Sequence, residues 1–134
     1  MLLNSIENFL YTKLCDIQAA YGLHFVLLAG FMRILSPWFF ARQRDFHLLN
    51  IHPSVLPLHK GVNAIEKSFY DSNSFGGVTV HFVNEEVDGG HIILQEKIAK
   101  IPNENLESFT KRIHTLEYTL YPQAVLLVLA NTIK

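Results

Sequence analysis

The sequence is poor in the residues that build disulfide frameworks and metal centres. Its 134 residues include a single cysteine, Cys15, which excludes an intrachain disulfide and favours a reducing compartment. The seven histidines show no zinc-binding spacing with cysteine, and there is no His-Glu-x-x-His pattern. We therefore predict a cytoplasmic protein that binds no metal ion.

An excess of charge of either sign and long apolar runs are also missing. Lysine and arginine number 11 and aspartate and glutamate 12, which gives a formal net charge of -1 and little attraction to nucleic acid or an anionic membrane. The most hydrophobic run, residues 124–130, is far shorter than the roughly 20 residues of a transmembrane helix. We predict small-molecule partners, with no nucleic acid and no membrane.

The hydrophobic residues that are present, 49% of the chain, suffice for one domain with a sizeable core. Apolar side chains three and four positions apart predict a helix over residues 3–21 that Gly22 ends. The continuous apolar run at 24–29 is typical of a strand covered on both faces, and predicts a central strand. A short helix capped by Ser36, over residues 37–44, then crosses to a parallel strand.

The second half of the chain predicts two further helices around a strand pair. Residues 64–71 have helical spacing, and Gly76-Gly77 predicts a break before a strand at 78–83. A short polar connection to a strand at 91–98 favours antiparallel pairing, and a long helix follows. These elements predict an α/β fold of three layers: a mostly parallel sheet with an antiparallel strand pair, flanked by helices.

The end of the strand at 46–51 is the strongest candidate site. Pro53 has no N–H to donate, so it ends the strand at His52. Asn50 and His52 are two residues apart, which puts both side chains on one side at the carboxyl edge, where α/β proteins bind ligands. From the residues alone, a structural pair capping the strand remains the alternative.

Other polar residues are weaker candidates. Asp88 precedes Gly89-Gly90, and an Asp-Gly turn between strands is ordinary hairpin chemistry. Glu117 lies on a largely apolar helix, where it either is solvated or faces a ligand. Arg33 is more often a surface charge than a ligand group.

Four segments, taken together and in order, resemble the folate-dependent formyltransferases and, within them, the phosphoribosylglycinamide formyltransferases. The superfamily resemblance rests on Asn50-x-His52 and the later Asp88. The segments are residues 28–36, Asn50-Ile51-His52-Pro53-Ser54, His81-Phe82-Val83 and Val87-Asp88-Gly89-Gly90.

This resemblance implies formyl transfer from 10-formyltetrahydrofolate to the amine of glycinamide ribonucleotide, in de novo purine biosynthesis. It implies catalytic roles for Asn50, His52 and Asp88, without a covalent enzyme intermediate. It also implies contacts with the two substrates. The implied folate contacts are Met32, Arg33, Ile34, Leu35, Asn50, Asn84, Glu85, Glu86, Val87 and Asp88, and the implied ribonucleotide contacts are His114, Thr115, Leu116 and Glu117.

The sequence departs from the family at its start. Family members begin with a strand and a glycine-rich turn that holds the substrate phosphate, and no such stretch precedes Leu3. We therefore expect residues 1–134 to form a single formyltransferase-like domain that is amino-terminally truncated relative to the family. The uncovered sheet edge that this implies favours a homo-oligomer.

Two other readings stay open at this point. One is another folate formyl enzyme, either methionyl-tRNA formyltransferase or formyltetrahydrofolate hydrolase. The other is a non-catalytic folate-binding remnant, which the missing phosphate loop favours and the retained Asn50, His52 and Asp88 oppose.

Overall fold

The computed structural model describes residues 2–31, 33–42 and 45–132. Helices and strands alternate along most of this length. In chain order they are α1 (Leu2–Tyr21), β1 (Phe25–Leu28), α2 (Pro37–Arg42), β2 (His47–His52), α3 (Ala64–Tyr70), β3 (Phe75–Phe82), β4 (Ile92–Ala99) and α4 (Leu106–Thr132).

The described strands form one sheet in the order β1-β2-β3-β4. Strands β1 and β2 are parallel, whereas β2 with β3 and β3 with β4 are antiparallel. The α/β class, the parallel crossover and the antiparallel β3–β4 pair are confirmed. The described sheet is mixed rather than mostly parallel, because only one of its three strand pairs is parallel. The prediction of a central strand at 24–29 is wrong, because β1 lies at the edge of the described sheet. A continuous apolar run indicates that both faces of a strand are covered, but it does not indicate that both of its edges pair with other strands.

Helices cover both faces of the sheet, as the three-layer prediction requires. On one face, Val78 and Val80 of β3 pack against Phe109 and Ile113 of α4. On the other face, α1 and α2 cover β1 and β2. The buried residues of this second cluster are Leu14, Leu35, Phe39, Phe46 and Leu48.

Gly76 and Gly77 lie inside β3, so the predicted chain break at these residues is wrong. A Cβ atom on Gly76 would lie 2.5 Å from Cζ of Phe109, and one on Gly77 would meet the backbone oxygen of Glu96. The two glycines therefore serve close packing in the middle of the sheet rather than a turn.

Two predictions concern helix ends: the stop of the first helix at Gly22 and the cap of the second helix by Ser36. Helix α1 ends at Tyr21, and Gly22 follows with a φ of 71°, as predicted. Ser36 directly precedes α2, as predicted, but the Phe39 N–H donates to its backbone oxygen at 3.0 Å, and no hydrogen bond from α2 to its hydroxyl, which donates to Oε2 of Glu7 at 2.6 Å, is seen among the described residues. The predicted end of α2 near residue 44 lies outside the described residues. None of the described helices combines the length and apolarity that a membrane crossing needs.

Candidate active site

A cavity of about 810 Å³ opens at the carboxyl ends of β1 and β2. Pro53 ends β2 at this edge, and the chain turns away over the cavity rim. This size lies within the range of small-molecule and cofactor sites. The predicted site residues that line the cavity are Arg33, Ile34, Leu35, Asn50, His52, Asn84, Glu85, Glu86, Val87, Asp88, His114 and Glu117.

Strand alternation puts Asn50 and His52 on one face of β2, as predicted. Ile51 lies between them along the strand and points to the other face, where it packs against the cluster of β3 and α4. The backbone of Asn50 pairs with that of His81 on β3, so these two side chains also share a face. Among the described residues no hydrogen-bond partner is seen for the Asn50 amide, which leaves it available to the cavity.

The loop between β3 and β4 carries Asp88 to the same edge. Asn84 shapes the loop by accepting a 2.9 Å hydrogen bond from the Glu86 N–H. Asp88 itself has a φ of 49°, which is uncommon for a residue with a side chain. Gly90 is buried directly against the Phe82 carbonyl, where a Cβ atom has no room. The glycine at position 90 is therefore what lets the loop fold back on β3.

Asp88 faces two histidines. His52 Nδ1 lies 3.5 Å from its Oδ2, and His81 Nε2 lies 3.6 Å from its Oδ1. The Gly61 N–H donates a shorter hydrogen bond, 2.7 Å, to Oδ2. Burial opposes ionisation of Asp88, but His81, the Gly61 N–H and the charge of His52 together hold its pKa below the usual range. The cavity therefore has an ionised carboxylate at its base.

The ring of His52 is held by a hydrogen bond at Nε2, and its other nitrogen, Nδ1, lies beside Asp88. Its Nε2–H donates to the backbone oxygen of His59 at 2.8 Å, because a carbonyl can only accept. The neutral ring therefore carries its proton on Nε2, and Nδ1 is the nitrogen that can take up and release a proton beside Asp88.

His81 is a site residue that the sequence reasoning quoted in a motif but assigned no role. Its Nδ1–H donates to the Phe82 carbonyl at 2.8 Å. Its Nε2 is buried and has no hydrogen-bond partner in the described part of the chain. Its strand position opposite Asn50 is a long-range feature, and the only sequence signal was a histidine in an otherwise apolar strand.

Tyr121 was also missed. Its hydroxyl lies 2.7 Å from the Leu28 oxygen and 3.1 Å from the Leu49 oxygen, so it joins α4 to the end of β1 and the middle of β2. Burial raises the pKa of Tyr121 to about 12, despite the opposing hydrogen bond to Leu28. Tyr121 is one helical turn beyond Glu117, and the tether fixes that turn at the cavity.

The predicted ribonucleotide residues divide into two pairs. His114 and Glu117 line the cavity and contact each other, with 2.8 Å between Nδ1 and Oε2. Leu116 packs against the core cluster of β3 and α4, and the Thr115 hydroxyl donates to the Lys111 carbonyl at 3.0 Å. Neither of these two lines the cavity. Met32, predicted to contact folate, lies outside the described residues.

The described residues contain no group of three or more His, Cys, Asp or Glu side chains arranged to hold a metal ion. At the β2 end of the cavity, the polar groups of Asn50, His52, His81 and Asp88 are an amide, two imidazoles and a carboxylate. Such a set can donate hydrogen bonds to a developing oxyanion and exchange a proton, which are the requirements of acyl-group chemistry.

The α/β fold and this set of groups agree with the family comparison: the chain belongs to the formyl transferase family, whose sequence model matches residues 10–125. More particularly, its relatives include phosphoribosylglycinamide formyltransferases. The one from Haemophilus influenzae is 40% identical over 110 residues, which cover 82% of this chain and 51% of that protein. The human trifunctional purine biosynthetic protein adenosine-3 is 40% identical over 114 residues, 85% of this chain and 11% of that protein.

Solved structures show the same likeness. The crystal structure of phosphoribosylglycinamide formyltransferase from Campylobacter jejuni superimposes with a TM-score of 0.81 at 41% identity, covering 92% of this chain and 63% of that one. This chain therefore spans about half to two thirds of the length of its single-function relatives.

Proposed function

We propose that this chain carries the site that transfers a formyl group from 10-formyltetrahydrofolate to the amine of glycinamide ribonucleotide, in de novo purine biosynthesis. The observation that carries the proposal is the convergence of Asn50, His52 and Asp88 on one cavity. The names of the relatives support formyl transfer, the phosphoribosylglycinamide acceptor and purine biosynthesis, and the sequence resemblance supports the folate donor.

Asn50 has the role of an oxyanion donor in this proposal. Attack of the amine on the formyl carbon forms a tetrahedral centre with a negatively charged oxygen. The side-chain amide of Asn50 faces the cavity and donates to that oxygen. Loss of one such donor typically lowers the rate by about 10²–10³-fold.

His52 and Asp88 handle the proton in this proposal. The amine loses a proton as its bond to carbon forms, and the donor nitrogen gains one as its bond breaks. His52 Nδ1 is the nitrogen free to exchange that proton, and Asp88, 3.5 Å away, stabilises the charged ring. A distance slightly beyond hydrogen-bond length is common in catalytic pairs before substrate binds.

The cavity wall offers apolar side chains that can pack against the flat ring faces of a folate. Several large apolar side chains that are exposed to solvent line it, and these are Ile34, Val62, Val87 and Tyr118. Ile34 is 67% exposed although it is aliphatic. A ring that covers such side chains removes apolar surface from water, which contributes about 25 cal/mol per Å².

The experiment that tests this proposal is a calorimetric titration of the protein with a reduced folate, alongside a formyl-transfer assay. We expect saturable binding, weakened about tenfold or more in Ile34→Asp because a charge replaces an apolar contact that the bound ligand would remove from water. The matched control is Leu126→Asp, at an equally exposed leucine of α4 (66%) that does not line the cavity. Equal affinity of the two variants, or no binding by the folded protein, would contradict the proposal.

A further inference from the structure

A second cluster of charged side chains, centred on Asp71, lies outside the cavity. Asp71, which follows α3, accepts hydrogen bonds from His59 Nε2 at 2.6 Å and from Lys100 Nζ at 2.8 Å. The Asn73 N–H donates to it at 2.9 Å. Asp71, Lys100 and His59 do not line the cavity, so none of them is placed to touch a substrate there.

Asp71 is held as a carboxylate. Burial opposes its charge, but the hydrogen bonds from Lys100, His59 and Asn73 outweigh burial and bring its pKa well below the usual range. The cluster joins three parts of the chain: the loop after β2, the end of α3 and the residue that follows β4.

His59 links this cluster to His52. Its side chain donates to Asp71, whereas its backbone oxygen accepts the Nε2–H of His52 at 2.8 Å. Its φ of 55° is in the left-handed region, which a residue with a side chain adopts only when its surroundings enforce it. The bond to Asp71 is a contact that can supply this constraint.

We propose that His59, anchored by Asp71 and Lys100, is a positioning residue that fixes the tautomer and orientation of His52. With the His59 carbonyl in place, the proton of the neutral His52 ring stays on Nε2, and the Nδ1 lone pair lies on the Asp88 side of the ring. Without that acceptor, the carboxylate of Asp88 attracts an N–H from Nδ1 and the ring loses its preferred tautomer. The catalytic use of this device rests on the proposed function, but the geometry of the ring does not.

The test is a nuclear magnetic resonance measurement of the ring nitrogens of His52 in the full chain labelled with ¹⁵N-histidine, at a pH where the ring is neutral. In the unchanged protein we expect a protonated Nε2 and an unprotonated Nδ1. In His59→Ala and Asp71→Asn both nitrogen signals should move toward a tautomer average. His59→Gln, whose side-chain amide nitrogen takes the place of Nε2 and can still donate to Asp71, should restore the original signals.

Glu104→Gln is the matched control, because Glu104 forms an ion pair of similar length, 2.6 Å to Arg112, with no contact to His59. Its His52 signals should be unchanged. If Asp71→Asn does not fold, Lys100→Met removes one partner of Asp71 and serves in its place. Unchanged His52 signals in folded His59→Ala and in the Asp71 or Lys100 variant would overturn the proposal. If the variants shift the His52 signals as expected but the unchanged protein transfers no formyl group, the proposed function would be overturned and the positioning role of His59 would stand.

Discussion

In the described part of the chain two aspartates, Asp71 and Asp88, face histidines, and they are held in different ways. Asp88 lies in the cavity, 3.5 and 3.6 Å from the nitrogens of His52 and His81. Asp71 lies outside it, 2.6 Å from His59 and 2.8 Å from Lys100. Both carboxyl groups have a pKa below the usual range. A lowered pKa alone therefore does not separate a catalytic carboxylate from a structural one.

The two aspartates differ in how many of their partners lie at full hydrogen-bond distance. The side-chain partners of Asp71 lie at full hydrogen-bond distance, as in an ion pair that stabilises a fold. Asp88 has one short bond, from the Gly61 N–H, and two imidazoles that stand slightly too far away. Loose contacts of this kind cost stability and leave room for a group to move a proton, which is typical of functional sites.

The largest expected effect comes from breaking the cavity cluster itself. In a form of the protein whose formyl transfer can be measured, His52→Ala or Asn50→Ala should lower the turnover number by about 10²-fold or more. Each substitution removes a group that, in the proposed mechanism, acts on the reacting atoms. Steady-state kinetics with saturating formyl donor measure this. His91→Ala, at an exposed histidine, is the control. Near-normal turnover in either cavity variant would remove the mechanism.

A smaller effect is expected from displacing the loop that carries Asp88. Gly90→Ala introduces a Cβ atom against the Phe82 carbonyl and should lower the free energy of unfolding by about 1–3 kcal/mol. Gly89→Ala is the matched control, since its Cβ atom would meet only the side chain of Glu86, which is exposed and can move. Urea unfolding compares the two. Equal stabilities would mean that the loop does not need glycine at position 90.

Acid titration should sharpen the difference between the two aspartates. A carboxylate with a lowered folded-state pKa contributes stability above its unfolded value, near 3.9, and that contribution is lost as the pH falls toward the folded value. Asp71→Asn should therefore lower stability at pH 7 and flatten its decline between about pH 5 and 2. Glu104, whose hydrogen bonds to Arg112 lower its pKa to about 2, adds to that decline in both proteins. Denaturant unfolding at several pH values measures this, and an unchanged slope would contradict it.

Sequence reasoning reached the parts of the site that depend on local rules. Pro53 ended β2, and the two-residue spacing of Asn50 and His52 put both on one face. Asp88 came from the family resemblance, since an Asp-Gly turn alone favours a hairpin. The α/β class followed from the order of the apolar segments.

What sequence reasoning missed depends on contacts between distant segments. The position of β1 at the sheet edge depends on pairing, and the packing of Gly76 depends on Phe109. The contact of His81 with Asp88 and the bonds from Tyr121 to β1 and β2 join residues that no local pattern connects. Long-range contacts of this kind are set by tertiary packing, which the secondary-structure propensities of individual residues do not predict.

The most direct measurement is the turnover number of Asp88→Asn compared with that of Asp71→Asn, in one form with measurable transfer and at one pH. Both substitutions remove one negative charge beside a histidine, and only the first removes it from the cavity. We predict a decrease of about 10²-fold or more for Asp88→Asn, and of about tenfold for Asp71→Asn, the size of one hydrogen bond to a charged group. Equal decreases, or a larger one for Asp71→Asn, would contradict the assignment of Asp88 to the chemistry and Asp71 to its support.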